Sequence, residues 1–159
     1  MHRRHFLGTA ALAATSLMLP WVGGAQAFAA PPRRRLLPPA LNPGDTIGLV
    51  SPSAATDEPL DLQLAQEAME ALGLKVKVGP HLGARRGHLA GSDAERAGDL
   101  NAMFADREVK AIVCARGGSG AARLLPLLDY AAIRRHPKIL LGYSDITALH
   151  NALLSQAGL

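Results

Sequence analysis

A chain of 159 residues, 48% of them hydrophobic and 4% aromatic, has enough length for one core and one domain, and its abundance of Ala, Leu and Gly favours helices packed on a sheet over an aromatic-rich β-sandwich. The formal net charge of +4 is carried by Arg3, Arg4, Arg33, Arg34 and Arg35 near the start. Without those five the remainder is close to neutral, which argues against nucleic acid as a partner. A single cysteine, Cys114, excludes an internal disulfide framework and any multi-cysteine metal site, and no cofactor is expected.

Residues 1–29 read as an export signal. A basic start through Arg4 precedes an apolar run from Phe6 to Leu19, then Pro20 and a small-residue cleavage site after Ala27 or Ala29. Arg3-Arg4 followed by His5-Phe6-Leu7 resembles the twin-arginine signal of the bacterial route that exports folded proteins, so the expected location is the periplasm or another exported site. The apolar run approaches the length of a membrane span, but Gly8, Pro20, Gly23 and Gly24 weaken that alternative, and no stable membrane span is expected after cleavage. Residues 30–41, with four prolines around the arginine triplet, read as an exposed leader, and residues 42–159 as the folded domain.

Within that domain Asp45 to Val50 is a buried strand bounded by Pro43-Gly44 and Ser51-Pro52. The spacing of Leu62, Ala65, Met69 and Leu72 predicts a helix, with Thr56 or Asp57 as its cap and Gly73 at its end. Leu74 to Val78 is the second strand and Gly79 to Gly91 a loop. Ser92 and Glu95 have capping-box spacing at the head of a helix through Leu100 and Phe104. Lys110 to Ala115 is a third strand, Ala121 to Leu128 a helix, Lys138 to Leu141 a fourth strand, and Ile146 to Gln156 the last helix. Alternation of strands and helices predicts an α/β fold, a parallel sheet flanked by helices, with ligands at the carboxyl ends of the strands.

Two turns fall at such ends. Arg116-Gly117-Gly118-Ser119-Gly120 can bring backbone amides close to a phosphate, a carboxylate or an oxyanion, or can serve as a plain strand-to-helix connection. It lacks the Gly-Lys-Ser/Thr ending of a P-loop. Gly142-Tyr143-Ser144-Asp145 follows the fourth strand, where hydrolases place a serine nucleophile, although Ile146 stands where the nucleophile elbow wants glycine. Helix capping by Ser144 or Asp145 is the alternative. Arg116, beside the glycine loop, suits recognition of a terminal carboxylate or a structural ion pair. Cys114 reads as a buried, inert thiol. His150 lies six residues beyond Ser144, roughly 120° off the same helical face at 100° per residue, and His81 and His88 have no partner at metal-ligand spacing.

Taken together, Asn42-Pro43-Gly44-Asp45-Thr46-Ile47 leading to Ser51-Pro52-Ser53, then Leu89-Ala90-Gly91 with Arg96, Asp99, Leu100 and Asn101, then Arg116-Gly117-Gly118 and Gly142-Tyr143-Ser144-Asp145 resemble the LD-carboxypeptidase family, the muramoyltetrapeptide carboxypeptidases and their microcin-immunity relatives. The resemblance covers residues 41–159 and implies a Rossmann- or flavodoxin-like N-terminal domain of a metal-free serine peptidase. Such an enzyme takes a murein-derived peptide and removes a terminal D-amino acid. It implies Ser144 as nucleophile and the backbone amides of Asp145 and Gly118 as oxyanion hole, with the glutamate and histidine of the triad in a second domain beyond Leu159. The chain alone is then expected to be inactive, its protein partner being a second copy or the missing C-terminal half. Ser119 stands where the family usually carries tyrosine. A non-catalytic exported module binding a small anionic or peptide ligand through the glycine loop is the competing reading.

Overall fold

The computed structural model describes residues 35–159; the expected export signal of residues 1–29 and most of the leader's arginines lie outside them. Four strands, β1 (Thr46–Val50), β2 (Lys75–Val78), β3 (Val109–Cys114) and β4 (Ile139–Leu141), form one sheet in the order β2-β1-β3-β4. Every pairing is parallel. The helices are α1 (Pro59–Ala71), α2 (Asp93–Ala105), α3 (Tyr130–Arg135) and α4 (Thr147–Ala152).

Side chains alternate across the sheet with the strand period of two. Ile47, Leu49 and Ala111 pack against Leu62, Ala65 and Met69 of α1. Val50, Ile112 and Cys114 point the other way, toward Leu100, Met103 and Phe104 of α2, Ile133 of α3 and Leu149 of α4. At Gly48 a side chain would put its Cβ 2.6 Å from Met103 Sδ, so α2 seats directly on the strand there. The chain thus leaves β1 to one side of the sheet, through α1 to β2. It then returns across the opposite face through α2 to β3. That reversal opens the crevice between the carboxyl ends of β1 and β3, the place where such sheets take ligands.

The parallel α/β fold is as expected from the alternation, and the departures are local. Neither Thr56 nor Asp57 caps α1: Glu58 precedes Pro59 with no side-chain cap, and the Asp57 carboxylate is held by Arg85 at 2.8 Å. Leu72 is 67% exposed, because the helix ends one residue before it. Pro126, which cannot donate to a helical ladder, keeps Ala121–Leu127 as a 3-10 segment. A short helix unread in the sequence, α3, follows it with Asp129 accepting from Ala132 N. The last helix is composite, a 3-10 turn at Ser144–Ile146, then α4, then a π segment at Leu153–Ala157. The capping box is present in full, Ser92 Oγ accepting from Glu95 N and Glu95 Oε2 from Ser92 N. Residues 35–42 hold no helix or strand, yet Leu41 packs against the α1 side of the sheet and Leu36 N donates to Gly158 O at 2.7 Å.

The loop after β2 is fastened to α2 by a histidine. Asp99, buried on α2, accepts from His81 N at 2.9 Å and meets His81 Nδ1 at 2.8 Å. Hydrogen bonding to Asp99 raises the His81 pKa above the ordinary histidine range. A group whose folded pKa is raised stabilises the fold fully below its unfolded value and loses that contribution as pH climbs through the folded value. Thermal melts should therefore show a stability decrement above about pH 6.5, the ordinary histidine value, that His81→Ala removes. At the sheet centre, Ile112 is 0% exposed, and Ile112→Ala should cost about 2–5 kcal/mol in denaturant unfolding, with little change of m-value.

Candidate functional site

Three strand exits converge at the crevice. After β1 the chain runs through Ser51-Pro52-Ser53, where Ser53 is 0% exposed. After β3 comes Arg116 to Gly120, and after β4 comes Gly142 to Asp145. A Cβ on Gly117 would stand 2.9 Å from both Ser144 Cβ and Tyr143 O. The glycine loop therefore lies in contact with the β4 turn, and only a glycine permits that approach.

Ser144 is the one non-glycine residue among those described with a left-handed backbone, at φ 58°. An L-residue with a Cβ is disfavoured there by roughly 1–2 kcal/mol. Such outliers persist where the surroundings impose them, and they cluster at functional sites. The turn also settles the competing capping role. Tyr143, not Ser144 or Asp145, occupies the cap position, and it makes no side-chain cap bond. The Asp145 carboxylate turns away from its own helix: Oδ2 accepts from Ser53 Oγ at 2.5 Å and from Ala121 N at 2.8 Å. Ser144 is left exposed at the elbow.

Gly118, adjoining Gly117, has φ 127°, and a Cβ there would fall 2.4 Å from Ala54 Cβ. Its N–H enters no backbone hydrogen bond among the described residues. Arg116 is partly committed: Nη1 donates to Ala55 O at 3.0 Å and lies 3.7 Å from Asp57 Oδ2, while the side chain stays 40% exposed. With Thr56, Asp61, Leu62, Ala115 and Tyr143 it lines a pocket of about 340 Å³. Arg85, and then Arg116, hold the Asp57 carboxyl below the usual carboxylate range.

Other candidates fall away from the crevice. Burial pushes the Cys114 thiol up to about 12, which leaves it protonated and unreactive. His150 faces a separate cavity of about 330 Å³ lined by Leu36, Pro38, Leu140 and Leu153, and its Nε2 is buried without a partner. It is not hydrogen-bonded to Ser144. His81 is occupied by Asp99. Among the described residues there is no group of three or more His, Cys, Asp or Glu able to hold a metal, and no helix long and apolar enough to cross a membrane.

Two participants were not read from the sequence as site residues. Arg96 of α2 is 1% exposed and donates Nη1 to Pro52 O at 2.6 Å and to Gly120 O at 3.2 Å, and Nη2 to Asp93 Oδ1 at 2.5 Å. Its signal was its position at the head of the stripe Leu100, Met103 and Phe104, where an apolar residue belongs. Ser53 was visible only within the Ser51-Pro52-Ser53 motif, and its role was not, since its partner Asp145 lies 92 positions away.

Comparison with known proteins bears on the fold and the family. A family model for the LD-carboxypeptidase N-terminal domain matches residues 47–159. The probable murein peptide carboxypeptidase of Bacillus subtilis (strain 168) is 50% identical over 122 residues, 77% of this chain and 38% of that protein. The murein tetrapeptide carboxypeptidase of Pseudomonas aeruginosa is 36% identical over 108 residues, 67% of this chain and 34% of that protein. Among solved structures, an MccF-like protein from Bacillus anthracis str. Ames superposes with a TM-score of 0.74 at 38% identity, over 78% of this chain and 38% of the other. The chain spans well under half the length of these relatives. It belongs to the LD-carboxypeptidase family of peptidases, and its described fold is that family's N-terminal domain.

Proposed function

We propose that this chain supplies the nucleophile and oxyanion hole of a serine carboxypeptidase that removes a terminal D-amino acid from murein tetrapeptides outside the cytoplasm. The observation that carries the reading is the left-handed Ser144 at a strand exit, uncapping and exposed, with the glycine loop packed on it. In the first step Ser144 Oγ bonds to the carbonyl carbon of the L,D peptide link, and the carbonyl electron pair moves to oxygen. The N–H groups of Gly118 and Asp145 are the donors for that oxyanion. The carbon–nitrogen bond then breaks, the amino acid leaving with the proton that Ser144 gave up, and water hydrolyses the resulting ester. A serine hydroxyl needs a base, oriented by a carboxylate, to take its proton. The resemblance assigns those roles to a histidine and a glutamate in a second domain. The exported location is supported by the basic start, apolar run and Ala-rich cleavage site of residues 1–29.

With a family-like downstream domain supplied, a tetrapeptide ending in D-Ala should be turned over, and Ser144→Ala should abolish both turnover and fluorophosphonate labelling. Binding of the peptide without any labelling of Ser144 would favour the non-catalytic module instead. Gly118→Ala should lower kcat about 10²-fold or more, the scale of losing one oxyanion donor, because both φ and the contact with Ala54 oppose the new Cβ. Arg116→Ala should raise KM with little change in melting temperature if its guanidinium takes the substrate carboxylate; the reverse pattern would make its bond to Ala55 O its main role.

A further inference from the structure

The Gly120 carbonyl and the Ala121 N–H are the two ends of one peptide group. Arg96 Nη1 donates to the carbonyl at 3.2 Å, and Asp145 Oδ2 accepts from the N–H at 2.8 Å. A cation thus sits at the negative end of that peptide dipole and a carboxylate at its positive end. The same two side chains hold the neighbouring strand exit, Arg96 through Pro52 O at 2.6 Å and Asp145 through Ser53 Oγ at 2.5 Å. Asp145 also follows Ser144 directly. One carboxylate therefore links the exits of β1, β3 and β4.

We infer that Arg96 and Asp145 act together as positioning residues: they clamp the Gly120–Ala121 peptide and thereby aim the Gly118 amide at the space beside Ser144. The inference rests on the proposed oxyanion role of Gly118 and deepens it. Stability alone does not account for the arrangement. A buried arginine carries a desolvation penalty that an apolar side chain of similar length avoids, and the Arg96 Nε is buried with no partner at all. Asp145 forgoes capping its own helix to reach Ser53 and Ala121. Charge-assisted bonds at both ends of one peptide fix its plane, which is the pre-organisation that an oxyanion donor requires. Gly120, at φ 121°, lets the chain turn there, and a Cβ would meet Leu89 Cδ2 at 2.4 Å and Arg96 Nη1 at 3.3 Å. The loop is thus boxed against the clamp.

Residue-resolved amide exchange on the full chain tests this without any turnover. Asp145→Ala should speed exchange at Ala121 by about tenfold or more, the scale of one lost buried hydrogen bond. It should also lower the ¹⁵N order parameter of Gly118, which is exposed and whose N–H has no backbone partner among the described residues. Amides of β3 should keep their protection. Asp145→Asn retains an acceptor oxygen and should restore Ala121 protection to within a few-fold of the parent. Arg96→Met should loosen both positions by the same two readouts with the melting temperature held or raised. Ser53→Ala, a milder cut, keeps the test open if Asp145→Ala does not fold, and should give a smaller loosening at the same two residues. Unchanged Ala121 exchange and an unchanged Gly118 order parameter in these variants, or loss of protection spread evenly through β3, would overturn the clamp. A clamp that behaves as expected in a chain whose Ser144 never labels, even with the downstream domain present, would sink the peptidase reading and leave the clamp standing.

Discussion

The crevice depends on the Asp145 carboxylate. A parallel sheet delivers all its carboxyl ends to one side but does not set the distances among the loops that leave them. Here one oxygen accepts from Ser53 after β1 and from Ala121 after β3, while its own backbone leaves β4 beside Ser144. The left-handed turn at Ser144 follows from that tether: the residue after it is held from two sides, and Gly117 leaves room for its Cβ on the third. Remove the tether and the strained φ loses its reason to persist.

Charge is used sparingly around this point and always in a bracket. Asp93 accepts from Arg96 at 2.5 Å and from Arg123 at 2.8 Å, and its pKa lies below the usual range, with the Arg123 hydrogen bond as the largest cause. That carboxylate orients the guanidinium from the outer side, while the carbonyls of Pro52 and Gly120 hold it from the inner one. On the other flank His81 and Asp99 fix the loop that runs on to His88 and Ala90. Those two residues exchange backbone bonds with Ala55 and Ser53. The β1 exit is therefore held by α2 on one side and by the β2 loop on the other, before any substrate arrives.

What the sequence made legible was local. The Ser92–Glu95 capping box, the strand read over Asp45 to Val50 and found at Thr46–Val50, and the glycine-rich exit of β3 each depend on residues within a few positions of one another. Ser144 stood out because a strand, a glycine and a serine fell in register. The misses have a common physical cause. Thr56 and Asp57 were good caps in isolation, but Arg85, 28 positions later, takes the Asp57 carboxylate. Asp145 was an equally good cap, but Ser53 and Ala121 take it. α3 is six residues long and follows a proline-containing 3-10 segment, too short to show a period. Arg96 was legible only within the family motif, because its burial depends on what packs above it and not on its neighbours in the chain.

This difference separates two kinds of information in the site. The atoms proposed to carry chemistry, a serine hydroxyl and amides on the turns after β3 and β4, were readable because turns are written in local residue types. Their mutual placement was not, because it depends on pairings across 24, 44 and 92 positions. Those long pairings are also the ones that run against local preference: a cation buried in an apolar stripe, an aspartate that leaves its helix uncapped, a serine forced to positive φ. Local preference and global geometry normally agree in a protein, and their conflict concentrates where function demands it. Three such conflicts meeting within one crevice, and sharing the same two side chains, argue that the geometry between Ser144 and the glycine loop is what this part of the fold maintains at the expense of stability.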